Sequence, residues 1–394
     1  MNEHTRFARN PFFEAETALS LVPAPRPDVR AWHRALPGYA PTPLVRLPAL
    51  AKALGVGELL LKDESQRFGL NAFKALGASY AMYRFVKSRF PGVEARLDAV
   101  IAAASSMQVT FATATDGNHG RAVAWAAKAL RQGAVVFVPR NTVPARIAAI
   151  RSEGAECIVV EGNYDDTVRH AAEVSAKNGW QVIADTAYEG YLEIPGWIMA
   201  GYETIFLEAA EQMREAGLPD FPGAVLLQAG VGGLAWAGTA FYLRRVGQRC
   251  PTLVSVEPAD ADCLLESILS PDGSIRQALG RQNSIMAGLN CGTPSLLAWP
   301  LLRSGMHFFL AIDDGYAAEA MRMLAACGVI SGESGAAGMA GLLALAREPA
   351  LAKHRETLRL GEASTVLIVN TEGDTDPASY RRIVGRSGAA SPAC

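Results

Sequence analysis

Lys74 stands in Asn71-Ala72-Phe73-Lys74-Ala75-Leu76-Gly77-Ala78, and three other segments carry groups suited to a phosphate-bearing cofactor seated on its amine. A lysine amine is a nucleophile toward a carbonyl and, once released, a base. The loop Gly230-Val231-Gly232-Gly233-Leu234 follows an apolar run and precedes small residues, so its bare N–H groups can cradle a phosphate at a helix start. The same residues also read as Gly-x-Gly-x-x-Ala over 230–235. With Glu257 ending the next expected strand, that is a dinucleotide fingerprint, and it keeps an NAD(P)-binding oxidoreductase open. Close packing of helix on sheet is a third use for such glycines. Thr113-Ala114-Thr115-Asp116-Gly117-Asn118-His119-Gly120-Arg121 offers exposed N–H groups at a helix start, a setting for a carboxylate. A plain cap at Asn118 and a core histidine at His119 are the simpler readings there. Val369-Asn370-Thr371-Glu372-Gly373-Asp374-Thr375-Asp376-Pro377 closes the last expected strand, where open α/β sheets place ligand groups, although ordinary turns use the same residues.

Elements that could position these groups follow from the apolar pattern. Strands are expected at 99–102, 134–138, 157–160, 181–184, 224–228, 253–256 and 365–369, and helices at 120–130, 144–153 and 167–178. Alternation of this kind predicts parallel sheets with crossover helices, and 394 residues are enough for two domains, one sheet early and one late. The nearly uncharged stretch Gly223 to Leu243 is long enough to span a bilayer. Its five glycines and Gln228 predict instead a buried strand, a glycine loop and a helix starting near Leu234.

A formal charge of -2 and the lack of a dense basic run argue against nucleic acid or membrane partners and for a small molecule. The first residues hold no continuous apolar run of the kind a secretory signal needs, so the cytoplasm is the expected location. Six scattered cysteines show no Cys-x-x-Cys and no pairing with the six histidines at zinc spacing, so no metal is expected. A disulfide, for example between Cys263 and Cys291, stays open. Residues 386–394 read as a loose tail.

Taken in order, a Phe-Lys-x-x-Gly-Ala lysine, a Gly-Asn-His-Gly turn, a glycine loop with Val-Glu-Pro downstream and a polar turn after the last strand resemble the fold type II pyridoxal-phosphate enzymes, the family of threonine dehydratase, cysteine synthase and the tryptophan synthase β-subunit. The likeness runs from about Pro43 to Pro377. Asp116, Asp185-Thr186-Ala187-Tyr188-Glu189-Gly190-Tyr191, Ala287-Gly288-Leu289-Asn290-Cys291-Gly292 and Thr371 to Pro377 resemble the branch acting on 2,3-diaminopropionate. The resemblance implies a two-domain α/β fold, each domain an open, mostly parallel sheet flanked by helices. Residues 76–186 would form a small domain inserted between 1–75 and 187–394, and related enzymes are homodimers. It implies α,β-elimination of 2,3-diaminopropionate to pyruvate and ammonia with pyridoxal 5'-phosphate. A serine or threonine dehydratase is the rival within the family.

The roles implied by the resemblance can be placed on single residues. Lys74 would condense with the cofactor aldehyde and act as a base near the substrate Cα. Gly230, Val231, Gly232, Gly233 and Leu234 would hold the phosphate, Asn118 the ring hydroxyl, and Thr371 the pyridine nitrogen. Thr115, Asp116, Gly117 and His119 would face the substrate carboxylate. Many relatives carry serine where Asp116 stands, and a carboxylate there repels the substrate's own unless it acts, which suggests a second base for the other enantiomer. Asp185 would bind the β-ammonium leaving group, or simply cap the turn at a strand end.

Overall fold

The computed structural model describes residues 5–115, 117–162 and 164–385. In chain order its strands are β1 (Arg6–Arg9), β2 (Leu44–Arg46), β3 (Glu58–Asp63), β4 (Thr110–Ala114), β5 (Gly133–Pro139), β6 (Glu156–Val160), β7 (Gln181–Val182), β8 (Ala224–Gln228), β9 (Thr252–Pro258), β10 (Phe308–Ile312) and β11 (Thr365–Asn370). They fall into two compact units. Among the described residues, one comprises those up to Ala24, those of Thr42–Ser65 and those from Ile205 on; the other comprises those of Pro25–Pro41 and Gln66–Thr204.

The first unit is built on a seven-stranded sheet in the order β1-β10-β9-β8-β11-β3-β2. Its five central strands run parallel, and β1 and β2 join antiparallel at the two edges. Parallel strands covered on both faces need side chains that are apolar in both directions, and all five residues of β8 are buried. Leu226, Val254, Leu310 and Ile368 of the central strands share one apolar cluster with the helix Ala337–Arg347. Lys62 in β3 is one of the buried polar residues in these strands. Its fully buried ammonium is tied to Glu208 at 2.7 Å, to Thr42 O at 2.6 Å and to Gln212 Oε1 at 3.0 Å. The parallel pairing of β8 with β11 brings the C-terminal ends of both strands, Gln228 and Asn370–Thr371, to the same end of the sheet.

The second unit holds a four-stranded parallel sheet, β6-β5-β4-β7. Phe137, Ala112 and Val135 pack with Ala171 on one face, and Val136 and Val138 with Ile150 and Ala124 on the other. The helices Lys74–Arg89 and Asn118–Ala129 pack together within this unit.

The strand expected at Ala99–Ala102 is instead part of the helix Leu97–Ser105, and the strand of that region is β4. A short apolar run cannot distinguish strand from buried helix by periodicity, and three consecutive alanines favour the helix. The stretch from 223 to 243 folds as β8, a glycine loop and the helix Gly233–Val246. Among the described residues no helix is long and apolar enough to cross a membrane.

Candidate active site

Lys74 opens the helix Lys74–Arg89, and no side chain caps that helix start. Its ammonium donates to Asp185 Oδ2 at 2.7 Å. Both side chains are about one-fifth exposed, at 23% and 21%, so the pair is sheltered yet open to a small molecule. The ammonium also lies 5.4 Å from the Phe73 ring centroid and 5.9 Å from that of Tyr202, within cation–π range of both faces. The glycine of the Phe-Lys-x-x-Gly motif explains how Tyr202 comes so close. A Cβ on Gly77 would stand 2.5 Å from Tyr202 Cε1 and 2.9 Å from Ile198 O, so only glycine lets the helix Glu193–Glu215 approach.

Asp185 follows β7, and that strand end is braced twice. Tyr191 Oη donates to Val182 O and accepts from the Ala184 N–H, each at 3.0 Å. The His119 ring lies 2.8 Å from Ile183 O through Nε2. A carbonyl can only accept, so Nε2 carries the proton. This leaves His119 Nδ1 facing the Asp185 carboxylate at 3.8 Å. Burial alone would raise the Asp185 carboxyl, but the Lys74 ammonium, and next the His119 ring, outweigh it and hold the group well below the usual carboxylate range. Burial also pushes the Tyr202 hydroxyl up against the opposing pull of Lys74, so the phenol keeps its proton.

The turn expected to take a carboxylate precedes the helix Asn118–Ala129. Thr115 Oγ1 accepts the N–H groups of Gly117 at 3.0 Å and Gly120 at 3.3 Å, so this hydroxyl shapes the turn. No side chain caps the helix at Gly117, whose Cα faces the Arg146 side chain with no room for a Cβ, which would meet Cδ at 2.7 Å. Asp116 lies outside the described residues.

In the other unit, Gly230 to Leu234 joins β8 to the helix Gly233–Val246. Gly232 adopts φ +97°, and no side chain caps this helix start. A Cβ on Gly230 would sit 2.7 Å from Cys291 Sγ, and one on Gly232 would sit 2.6 Å from Leu302 Cδ1. Bare N–H groups at an uncapped helix start, in a loop with no room for a side chain at Gly230 or Gly232, fit a phosphate. Thr371 is buried at the end of β11, where its hydroxyl oxygen accepts from Gln228 Nε2 at 3.1 Å. Glu372 Oε1 accepts the Ser334 N–H at 3.1 Å, and Asp376 caps the helix Pro377–Val384, so these two acids of the polar turn are structural.

Glu257 bears on the dinucleotide reading of the glycine loop. Its fully buried carboxylate accepts the N–H groups of Leu264 at 2.8 Å and Leu265 at 2.9 Å, which closes the start of the helix Cys263–Leu269. Burial drives this carboxyl well above its ordinary value. A carboxylate enclosed in this way cannot reach a ribose hydroxyl, so the dinucleotide fingerprint is incomplete. Cys263 and Cys291 are not joined in a disulfide, which answers the question for that pair.

The structure brings Lys74, Asp185 and His119 together in one unit, and sets Thr371 beside Gln228 in the other. Tyr202 and Gln228 were not expected from the sequence. Gln228 had a signal, an amide ending an otherwise apolar strand; Tyr202 had none.

The family of pyridoxal-phosphate dependent enzymes matches residues 35–372. Diaminopropionate ammonia-lyase of Escherichia coli (strain K12) is 43% identical over 383 residues, 96% of this chain and 95% of that protein. The holo crystal structure of the Escherichia coli enzyme superposes with a TM-score of 0.87 at 40% identity and covers 98% of both chains. Its complex with D-serine superposes equally well, with the same TM-score, identity and coverage.

Proposed function

The chain belongs to the pyridoxal-phosphate dependent enzymes, and within that family we propose that it converts 2,3-diaminopropionate and water to pyruvate and two equivalents of ammonia by α,β-elimination. The observation that carries this reading is the Lys74–Asp185 pair, a lysine and a carboxylate in direct contact with about a fifth of each side chain exposed. Lys74 would hold the cofactor aldehyde, Gly230, Val231, Gly232, Gly233 and Leu234 the phosphate, Asn118 the ring hydroxyl and Thr371 the ring nitrogen. Pyridoxal phosphate, when bound, supplies an aldehyde for the substrate amine and a ring that acidifies the substrate Cα–H.

The remaining work falls to the chain's own groups. Lys74, released as the free amine, takes the Cα proton on its face of the substrate. Asp185 already binds an ammonium here. Once Lys74 is engaged elsewhere, this buried carboxylate is left needing a cation, and the β-ammonium of the diamino acid supplies one. Tyr202 and Phe73 keep the amine in an apolar setting. Thr115, Gly117 and His119 present the turn for the substrate carboxylate, and Asp116 serves as the second base, for the opposite enantiomer.

Purified protein should release two ammonia per pyruvate from diaminopropionate and one per pyruvate from serine. It should show the visible absorbance band that the cofactor gains on joining a lysine amine, and Lys74→Ala should abolish both the band and turnover. Faster release from serine or threonine than from diaminopropionate would instead favour a dehydratase. A homodimer accompanies the proposal by analogy with related enzymes, and a cytoplasmic location is proposed with it.

A further inference from the structure

Gln228 is the only polar residue of β8 and is 2% exposed. Its Nε2 lies 2.9 Å from Val369 O, 3.1 Å from Gly335 O and 3.2 Å from Ser334 O, as well as 3.1 Å from Thr371 Oγ1. Turning the amide over would aim Oε1 at three carbonyl oxygens, so only the present orientation holds, and at the Thr371 contact Gln228 donates. Its Oε1 is buried without a hydrogen-bond partner among the described residues, a cost that packing of the strand does not explain.

The consequence falls on Thr371. A hydroxyl has one proton and two lone pairs, and the Gln228 amide occupies one lone pair. Ser334 O, the other polar neighbour of the hydroxyl, stands at 3.5 Å, too far to claim the proton firmly. We propose that Gln228 is a positioning residue that makes the Thr371 hydroxyl a donor to the ring nitrogen of the bound cofactor, and so keeps that nitrogen unprotonated. This rests on the pyridoxal-phosphate reading and deepens it. An unprotonated nitrogen makes the ring a weaker electron sink, which suits rapid loss of a β-substituent and disfavours reactions that need a long-lived carbanion.

The test compares wild type, Gln228→Met, Thr371→Val and the double variant. The readouts are the cofactor dissociation constant, followed by absorbance, and the ¹⁵N chemical shift of ring-labelled cofactor across pH. Wild type should show an unprotonated, hydrogen-bonded nitrogen. Gln228→Met should weaken cofactor binding roughly tenfold, as expected for one lost hydrogen bond, and make the shift respond to pH. In the Thr371→Val background the same change should add nothing, because Gln228 acts through that hydroxyl. Equal losses in both backgrounds, or a wild-type nitrogen that carries a proton, would overturn the inference. Should Gln228→Met not fold, Gln228→Asn, which withdraws the amide by one methylene, replaces it with the same expected shift and the same refuting outcomes. Wild type that takes up no pyridoxal phosphate would overturn the cofactor reading and this inference with it; normal uptake with unchanged variants overturns this inference alone.

Discussion

Asp185→Asn separates a carboxylate that recognises substrate from one that merely braces Lys74. The wild-type contact is a 2.7 Å charge-assisted hydrogen bond between side chains about one-fifth exposed. Such bonds contribute about 1.5–3 kcal/mol and a neutral amide restores about 1, so the cofactor-free variant should lose about 1–2 kcal/mol. In a unit of this size that lowers the melting temperature by about 2–8 °C. Because the folded carboxyl titrates below its unfolded value, this contribution is fully present above about pH 4 and is lost as pH falls through the lowered folded value. The gap in melting temperature between wild type and variant should therefore be flat near neutrality and close only in strong acid. Catalysis gives the sharper contrast. If Asp185 binds the β-ammonium, about 2 kcal/mol is lost with diaminopropionate, or roughly 30-fold in kcat/KM, and much less with serine, whose leaving group is uncharged. Ammonia release from both substrates measures this, and an equal fall on the two would refute the role in substrate recognition while leaving the ion pair to Lys74 intact.

Three further outcomes follow from single positions. Gly232→Ala combines a left-handed backbone, φ +97°, with a Cβ only 2.6 Å from Leu302 Cδ1, so absorbance titration should show cofactor binding weakened at least about tenfold. Asp116→Asn should slow one enantiomer of diaminopropionate far more than the other; parallel assays in which both fall alike, or neither falls, remove the two-face proposal. His307 is held down to about 4 by burial while its Nδ1 accepts the Leu253 N–H at 3.1 Å. The unfolded chain binds that proton near pH 6.5, so stability should decline by up to about 3 kcal/mol as pH falls from about 6.5 to about 4. Denaturant unfolding at several pH values should show that decline, and His307→Gln should flatten it.

How much was legible in the sequence follows from how local each signal is. β8, its glycine loop and the next helix could be read directly, because a strand buried on both faces must be continuously apolar and the glycines punctuate it. β3 was hidden, since Lys62 looks forbidden in a central strand until Glu208, 146 residues away, is seen to neutralise it. The site shows the same division. Lys74 and Asp185 stood out by type and motif, but their contact spans 111 residues and no spacing encodes it. Tyr202 left no trace because its position depends on Gly77 admitting a neighbouring helix. Glu257 misled, since the end of a strand suits both a ribose partner and a carboxylate turned inward to close a helix start.

Lys62 and Lys74 together show what separates a structural lysine from a chemical one. Both bind a carboxylate at 2.7 Å, so the ion pair itself does not discriminate. Lys62 and Glu208 have no exposed side-chain surface, and carrying the lysine proton out of the pair would leave the Glu208 carboxylate charged and unpaired in the core, so that pair is fixed for the life of the fold. Lys74 and Asp185 keep about a fifth of their surface open, enough for a small amine or aldehyde to enter and for the carboxylate to change cations without leaving its place. Lysine chemistry here thus depends on a partner that can be exchanged, and Asp185 matters because it can hold either ammonium.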